Sequence, residues 1–189
     1  AAIYQIEELR NREGIDPALK NSLQSVNDDI KTVLDGLRAT AKELRPPTLF
    51  SFGLEHAIRS HVDDIRDKFP NIKISLSLAH DRQLLPEKAR LALFRIAQQS
   101  LSNVLRHAEA TEANVRFSFD AEEVRLEISD NGRGFDVPKN WIELVRNGHY
   151  GLAGASERIH ALGGTLHVQS KPGESTVVAA AIPWRSLQD

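Results

Sequence analysis

The chain has 189 residues, 41% apolar and 26% charged, a formal net charge of -2, and neither cysteine nor methionine. This composition excludes disulfides, thiol catalysis and zinc-thiolate sites, and the charge balance supplies no footprint for nucleic acid or for a polybasic membrane patch. No apolar run approaches the roughly 18 residues that a membrane span requires, so no membrane contact is expected of this piece itself; the lack of cysteine fits a cytoplasmic setting, with an anchor elsewhere in the parent protein left open, and the lack of methionine together with an opening that reads as mid-helix puts the natural start upstream of Ala1.

Ile3, Ile6 and Leu9 form a short helical pattern, broken by the stretch from Gly14 to Pro17, where Asp16 is a candidate N-cap and Pro17 a first helical residue. From Leu19 the apolar residues Leu23, Val26, Ile30, Val33, Leu37, Ala41 and Leu44 follow at alternating spacings of four and three, the period of a coiled-coil seam. The pattern predicts a helical hairpin that pairs with a second copy, the alternative being a helix that covers the following domain. Pro46 and Pro47 end the long helix and divide the chain into a helical segment, 1–47, and a domain, 48–189. In that domain the periodicities predict a helix from Gly53 to Phe69, a strand through Ile72, Ile74, Leu76 and Leu78, and a helix from Pro86 to Ala108. A hairpin follows, with Val115, Phe117 and Phe119 on one strand and Val124, Leu126 and Ile128 on the other. After a loop from Asn131 to Tyr150 come a helix from Leu152 to Leu162 and two strands about the turn Lys171-Pro172-Gly173. This order implies an α+β sandwich, with helices on one face of a mixed sheet.

Three stretches can carry chemistry. Asp130-Asn131-Gly132-Arg133-Gly134 follows an apolar strand. Alone it is an ordinary turn signal, yet a carboxylate at a strand end can accept a hydrogen bond from an exocyclic amine such as that of adenine. On the helix before it, Ile96, Ser100 and Val104 are spaced for the core, while Gln99, Asn103 and Arg106 share another face. That face is either solvated or a ligand surface on which an amide oxygen suits Mg²⁺ and a guanidinium suits phosphate. His149-Tyr150-Gly151-Leu152-Ala153-Gly154 opens a helix with two glycines, a natural place for phosphate oxygens. No P-loop sequence is present.

In this order the three stretches resemble the N, G1 and G2 boxes of the GHKL superfamily, which joins gyrase, Hsp90, MutL and the histidine kinases. Leu44-Arg45-Pro46-Pro47-Thr48-Leu49 with Gly53-Leu54-Glu55-His56-Ala57-Ile58 resembles the junction found in sensor histidine kinases that serve NarL-type response regulators, the group of the nitrate sensors and the desaturase thermosensor. The resemblance implies a Bergerat-type ATP-binding sandwich preceded by part of a helical dimerisation hairpin. It implies ATP and Mg²⁺ as cofactors, Asn103 as the Mg²⁺ ligand, Asp130 on the adenine amine, and Gly132 and Gly134 shaping the pocket. Gly151 and Gly154 would meet phosphates, Thr176 would flank the adenine, Arg106 and His107 would lie near the phosphate chain, and the loop from Phe135 to Tyr150 would be a lid.

Three departures accompany the resemblance. Gln99 stands where the family has a glutamate, and an amide cannot take up a proton. Ser175 replaces a glycine before Thr176, and Ala155-Ser156 replaces methionine and arginine. No histidine lies between Ala1 and Gly14, where the resemblance would look for the phosphate acceptor; family spacing puts it before Ala1, so this piece alone is not expected to autophosphorylate. The resulting expectation is the catalytic portion of an ATP:protein-histidine kinase that passes phosphate on to a response-regulator aspartate. The alternatives are a catalytically weak nucleotide-binding regulatory module, motivated by Gln99, and an anti-sigma-factor serine kinase, disfavoured by the long heptad helix.

Overall fold

A computed structural model describes residues 2–11, 16–44, 47–81, 84–137 and 150–187. They fall into two compact units, Ala1–Pro46 and Pro47–Asp189. The first holds α1 (Ala2–Arg10) and α2 (Pro17–Leu44). Asp16 Oδ1 accepts a bond of 3.3 Å from the Ala18 amide at the start of α2, so the residue preceding Pro17 occupies one of the donors that a helix start leaves unpaired. α1 packs on α2, Arg10 donates to Gln24, and Asn27 is buried. Along α2 the seam residues Leu19, Val26, Val33 and Leu37 remain 50%, 48%, 62% and 61% exposed.

The second unit is a two-layer sandwich. Its sheet has the order β1-β2-β3-β5-β4, with β1 Lys73–Leu78, β2 Glu112–Phe119, β3 Glu123–Asp130, β4 Thr165–Gln169 and β5 Thr176–Pro183. β1 and β2 are parallel, from Lys73 opposite Glu112 to Leu78 opposite Phe117, and the remaining pairs are antiparallel. The helices are α3 (Pro47–Lys68), α4 (Glu87–Asn103) and α5 (Tyr150–His160). α4 lies between α3 and α5 and also touches β3 and β5. Parallel strands need a long crossover, and α4 provides it between β1 and β2. Strict alternation buries Ala113, Val115 and Phe117 on β2, Val124, Leu126 and Ile128 on β3, and Val178, Ala180 and Ile182 on β5. Leu93, Ile96, Ala97 and Leu101 of α4 meet them in one core. Each fully buried Val, Leu, Ile or Phe among them contributes roughly 1.5–3 kcal/mol.

The structure differs from the sequence expectation at two helix ends. The helix expected from Gly53 is preceded by a further helical stretch from Pro47, and Gly53, whose φ of 87° and ψ of -179° are non-helical, is the joint between the two. A Cβ there would lie 2.4 Å from Asp81 Oδ1, and Asp81 Oδ2 accepts the Leu54 amide at 2.9 Å. A carboxylate from the loop after β1 thus caps the main part of α3, a long-range contact that local propensity does not encode. The helix expected to run to Ala108 turns π-helical over Val104–Ala108 and ends at Glu109, in left-handed geometry with φ of 54°.

Asp81→Ala removes a buried acceptor and leaves the Leu54 amide unpaired, so chemical denaturation should show a loss of roughly 1–3 kcal/mol. A loss below about 0.5 kcal/mol, the range of ordinary surface substitutions, contradicts this account of the interruption at Gly53.

Candidate nucleotide-binding site

The core row of β3 runs Val124, Leu126, Ile128, Asp130, and that of β5 begins with Thr176, Val178, Ala180. In the antiparallel register Asp130 lies opposite Thr176. A carboxylate and a hydroxyl therefore take the last places of two apolar rows, on the side that faces α4. Where the apolar residues give out, a cavity of about 240 Å³ opens, walled by Asn103, His107, Asp130, Gly134 and Thr176, with Ile128, Leu152 and Val178 as apolar surfaces and Arg133 and Phe135 at its margin. A second hollow of about 140 Å³ adjoins it through the shared residues Asn103, His107 and Leu152, and is otherwise lined by Gln99, Ser102, Arg106 and Gly151. The first has apolar walls with a few polar groups and suits a flat heterocycle. The second is almost wholly polar.

Asp130 is 7% exposed, and burial pushes its carboxyl above the ordinary aspartate value, opposed by hydrogen bonds from the Gly132 and Thr176 amides. The Gly132 amide donates to Oδ1 at 2.8 Å. The neighbouring residues hold this carboxylate in place. Asn131 Oδ1 accepts the Thr111 and Glu112 amides at 3.0 and 2.9 Å, and its amide nitrogen donates to Thr111 Oγ1 at 2.9 Å, which ties the end of β3 to the start of β2. The Arg133 amide donates to the Ala108 carbonyl at 2.8 Å and its Nε to the His107 carbonyl at 2.8 Å. These are carbonyls at the end of the π-helical turn that continues α4, which the helix itself leaves unpaired.

Gly132 and Gly134 are required for close approach. A Cβ on Gly132 would come within 2.4 Å of the Ala108 carbonyl oxygen, and one on Gly134, at φ 61°, within 2.0 Å of the Lys171 carbonyl oxygen. The turn that meets Gly134 is bound to it on both sides. The Gly173 amide donates to the Arg133 carbonyl at 2.6 Å, and the Phe135 amide to Ser170 Oγ at 3.0 Å, which is in turn 2.9 Å from Thr176 Oγ1.

At the polar hollow, Gln99 Nε2 donates to Asn103 Oδ1 at 3.1 Å. Gly151 packs against that amide so closely that a Cβ would lie 2.4 Å from Gln99 Cδ. Asn103 lines both cavities, and an amide oxygen is a suitable hard ligand for Mg²⁺, which takes one or two protein oxygens and completes its shell with phosphates and water. Among the described residues no group of three or more histidine, cysteine or acidic side chains forms a metal site. Asn103 fits a metal brought in with a nucleotide.

Of the residues singled out from sequence, Asn103, His107, Asp130, Gly134 and Thr176 share the larger cavity, and Gln99, Asn103, Arg106, His107 and Gly151 the smaller. Gly132 and Gly154 line neither. Gly132 acts through the Asp130 carboxylate, and a Cβ on Gly154 would meet only the Arg158 guanidinium, at 3.3 Å. Most of the expected lid, residues 138–149, lies outside the described residues. Ile128 and Leu152 are cavity walls that sequence reasoning gives only to a strand and a helix, and Val178 is one it does not single out, because an apolar wall and a core position carry the same pattern. Arg133 stands in the recognised motif, but its role as a clamp on α4 depends on a contact 26 residues away in the chain.

A family model described as histidine kinase-, DNA gyrase B-, and HSP90-like ATPase matches residues 88–186, a span that contains the whole cavity. The chain belongs to this ATPase family. The relatives it matches are sensor histidine kinases of the NarL/DesK-type subclass, and it corresponds to their ATPase portion. The signal transduction histidine-protein kinase/phosphatase DegS of Bacillus subtilis (strain 168) is 33% identical over 142 residues, 74% of this chain and 36% of that protein. DegS of Brevibacillus brevis is 29% identical over 178 residues, 94% of this chain and 44% of that protein. The chain thus spans less than half the length of these relatives. The histidine kinase domain of the Erythrobacter litoralis EL346 blue-light activated histidine kinase shares the fold, with a TM-score of 0.64 at 19% identity over 98% of this chain and 96% of that one.

An acid whose pKa is higher in the folded than in the unfolded chain binds its proton more tightly when folded. Ionised Asp130 therefore costs stability above its shifted pKa and nothing below the unfolded value. Asp130→Asn should melt higher than the parent near pH 8 without nucleotide, with the gap closing as pH falls toward about 4. A gap independent of pH contradicts the burial cost assigned to this carboxylate.

Proposed function

We propose that the domain binds ATP with Mg²⁺ and serves as the catalytic part of a sensor histidine kinase, supplying the γ-phosphoryl group to a histidine from which it passes to an aspartate of a NarL-type response regulator. The observation that carries this reading is the carboxylate of Asp130 at the end of an apolar row, facing a cavity whose other end is polar. The base would lie on Ile128 and Val178 with its amine on Asp130 and Thr176 beside it, and the phosphates would extend toward Asn103, Arg106, His107 and Gly151.

Mg²⁺ held at Asn103 Oδ1 would neutralise phosphate charge, the usual role of a metal in phosphoryl transfer. Among this chain's residues, Arg106 adds positive charge, Gly151 admits close approach at the start of α5, and Gly134 and Phe135 close the base end. Gln99 cannot take up a proton, so its part is to orient the Asn103 amide through their hydrogen bond. Transfer then depends on position and charge rather than on a general base here. The same glutamine motivates a second reading, a nucleotide-binding regulatory module of low turnover.

Calorimetric titration with a non-hydrolysable ATP analogue tests the site. Asp130→Ala should abolish detectable binding, and Asn103→Ala should remove the part that depends on Mg²⁺. Folded Asp130→Ala protein that binds normally contradicts the assignment. Phosphohistidine formed from ATP in the full-length protein, and lost in Asp130→Ala, separates the kinase from the regulatory module.

We further propose that the N-terminal unit pairs with a second copy through the exposed seam Leu19, Val26, Val33 and Leu37, a heptad stripe with the spacing of a coiled coil. Sedimentation should give a dimer that Val26→Glu with Val33→Glu converts to a monomer. A parent chain that already sediments as a monomer contradicts the pairing.

A further inference from the structure

Ser100 lies on the face of α4 turned to the sheet, between Ile96 and Val104, and is 3% exposed. Its Oγ is buried and has no hydrogen-bond partner, and the residue forms part of the wall of the larger cavity together with Asp130 and Thr176. Alanine would fill this helix position with better propensity and no polar atom to satisfy. A buried hydroxyl without a partner weakens the empty domain, and such groups in folded proteins are normally satisfied by water or ligand.

Two of the other polar groups beside Asp130 already have partners. The Gly132 amide is bound to Asp130 Oδ1, and Thr176 Oγ1 is paired with Ser170 Oγ. An adenine presents two neighbouring groups on one edge, an exocyclic amine that donates and a ring nitrogen, N1, that accepts. The ionised Asp130 carboxylate can meet only the amine. The ring nitrogen needs a donor, and the free hydroxyl of Ser100 is one. Guanine reverses both groups, with an oxygen that accepts and an N1–H that donates.

We propose that Ser100 is a specificity-determining residue whose hydroxyl donates to adenine N1, directly or through one trapped water, and is satisfied only when the nucleotide is bound. The proposal rests on the nucleotide reading of the same cavity. It assigns the choice of adenine to two groups on different elements, the acceptor on β3 and the donor on α4.

The test compares the parent with Ser100→Ala, each titrated with a non-hydrolysable ATP analogue and with its 1-deaza counterpart, which lacks the N1 acceptor. Thermal melts without ligand accompany the titrations. Ser100→Ala should weaken the ATP analogue by roughly 5–15-fold, leave the affinity for the 1-deaza counterpart unchanged, and melt at or above the parent temperature. Equal affinity of the two proteins for the ATP analogue, or an equal loss on both ligands, overturns the role of Ser100 while leaving the nucleotide site in place. A lower melting temperature with equal losses marks a hydroxyl that serves only the fold. A parent protein that binds neither ligand overturns the nucleotide reading itself, and this inference with it.

Discussion

The packing of α4 against the inner face of the sheet governs the rest of the ATPase domain. Because α4 touches both neighbouring helices as well as β3 and β5, its rotation decides which residues enter the core and which reach the cleft. With Ile96, Ala97 and Leu101 buried, Gln99, Asn103 and Arg106 are left on the adjoining face, one turn apart. The period-2 alternation of β3 and β5 does the same from the other side. It carries the core rows outward until they end in Asp130 and Thr176, so the apolar-to-polar gradient of the cleft follows from two periodicities that meet at the edge of the sandwich.

A buried carboxylate at that edge costs stability, and the chain offsets part of this with hydrogen bonds that also fix its direction. Asn131 binds back to the start of β2, Gly132 donates to the carboxylate, and Arg133 pairs with the last carbonyls of the π-helical turn that continues α4. Four consecutive residues thus connect the sheet, the helix and the functional group. The ion pair of Arg133 with Glu109 is more than half exposed on both sides and adds little; the bonds to backbone carbonyls do more, because those acceptors have no helical partner. Gly134 completes the arrangement by nesting on the turn at 171–174, a contact that only glycine permits at its positive φ.

The fold class was legible in local periodicity, whereas His107 and Thr176 were set beside Asn103 and Asp130 only through the family resemblance. Alternation on β2 and β3 marked the hairpin, and the spacing of Gln99, Asn103 and Arg106 marked the polar face of α4. What stayed hidden depends on contacts between distant parts of the chain. The capping of Leu54 by Asp81, the π-helical turn at Val104–Ala108 and the walls formed by Ile128, Leu152 and Val178 have no local signature. Gly154 shows the opposite case, a motif residue whose position in the structure lies off both cavities. Ser100 is the subtlest, since serine at a core spacing looks like an ordinary small residue until its hydroxyl is seen to lack a partner.

The central claim is that the strand end at Asp130 and the polar face of α4 form one nucleotide site. A crystal structure of the chain with a non-hydrolysable ATP analogue and Mg²⁺ tests it most directly. The account predicts the adenine amine on the Asp130 carboxylate, the ring on Ile128 and Val178, and the metal on Asn103 Oδ1 with the phosphates toward Gly151. Nucleotide bound elsewhere, or in this cavity with its phosphates toward Asp130, would contradict it.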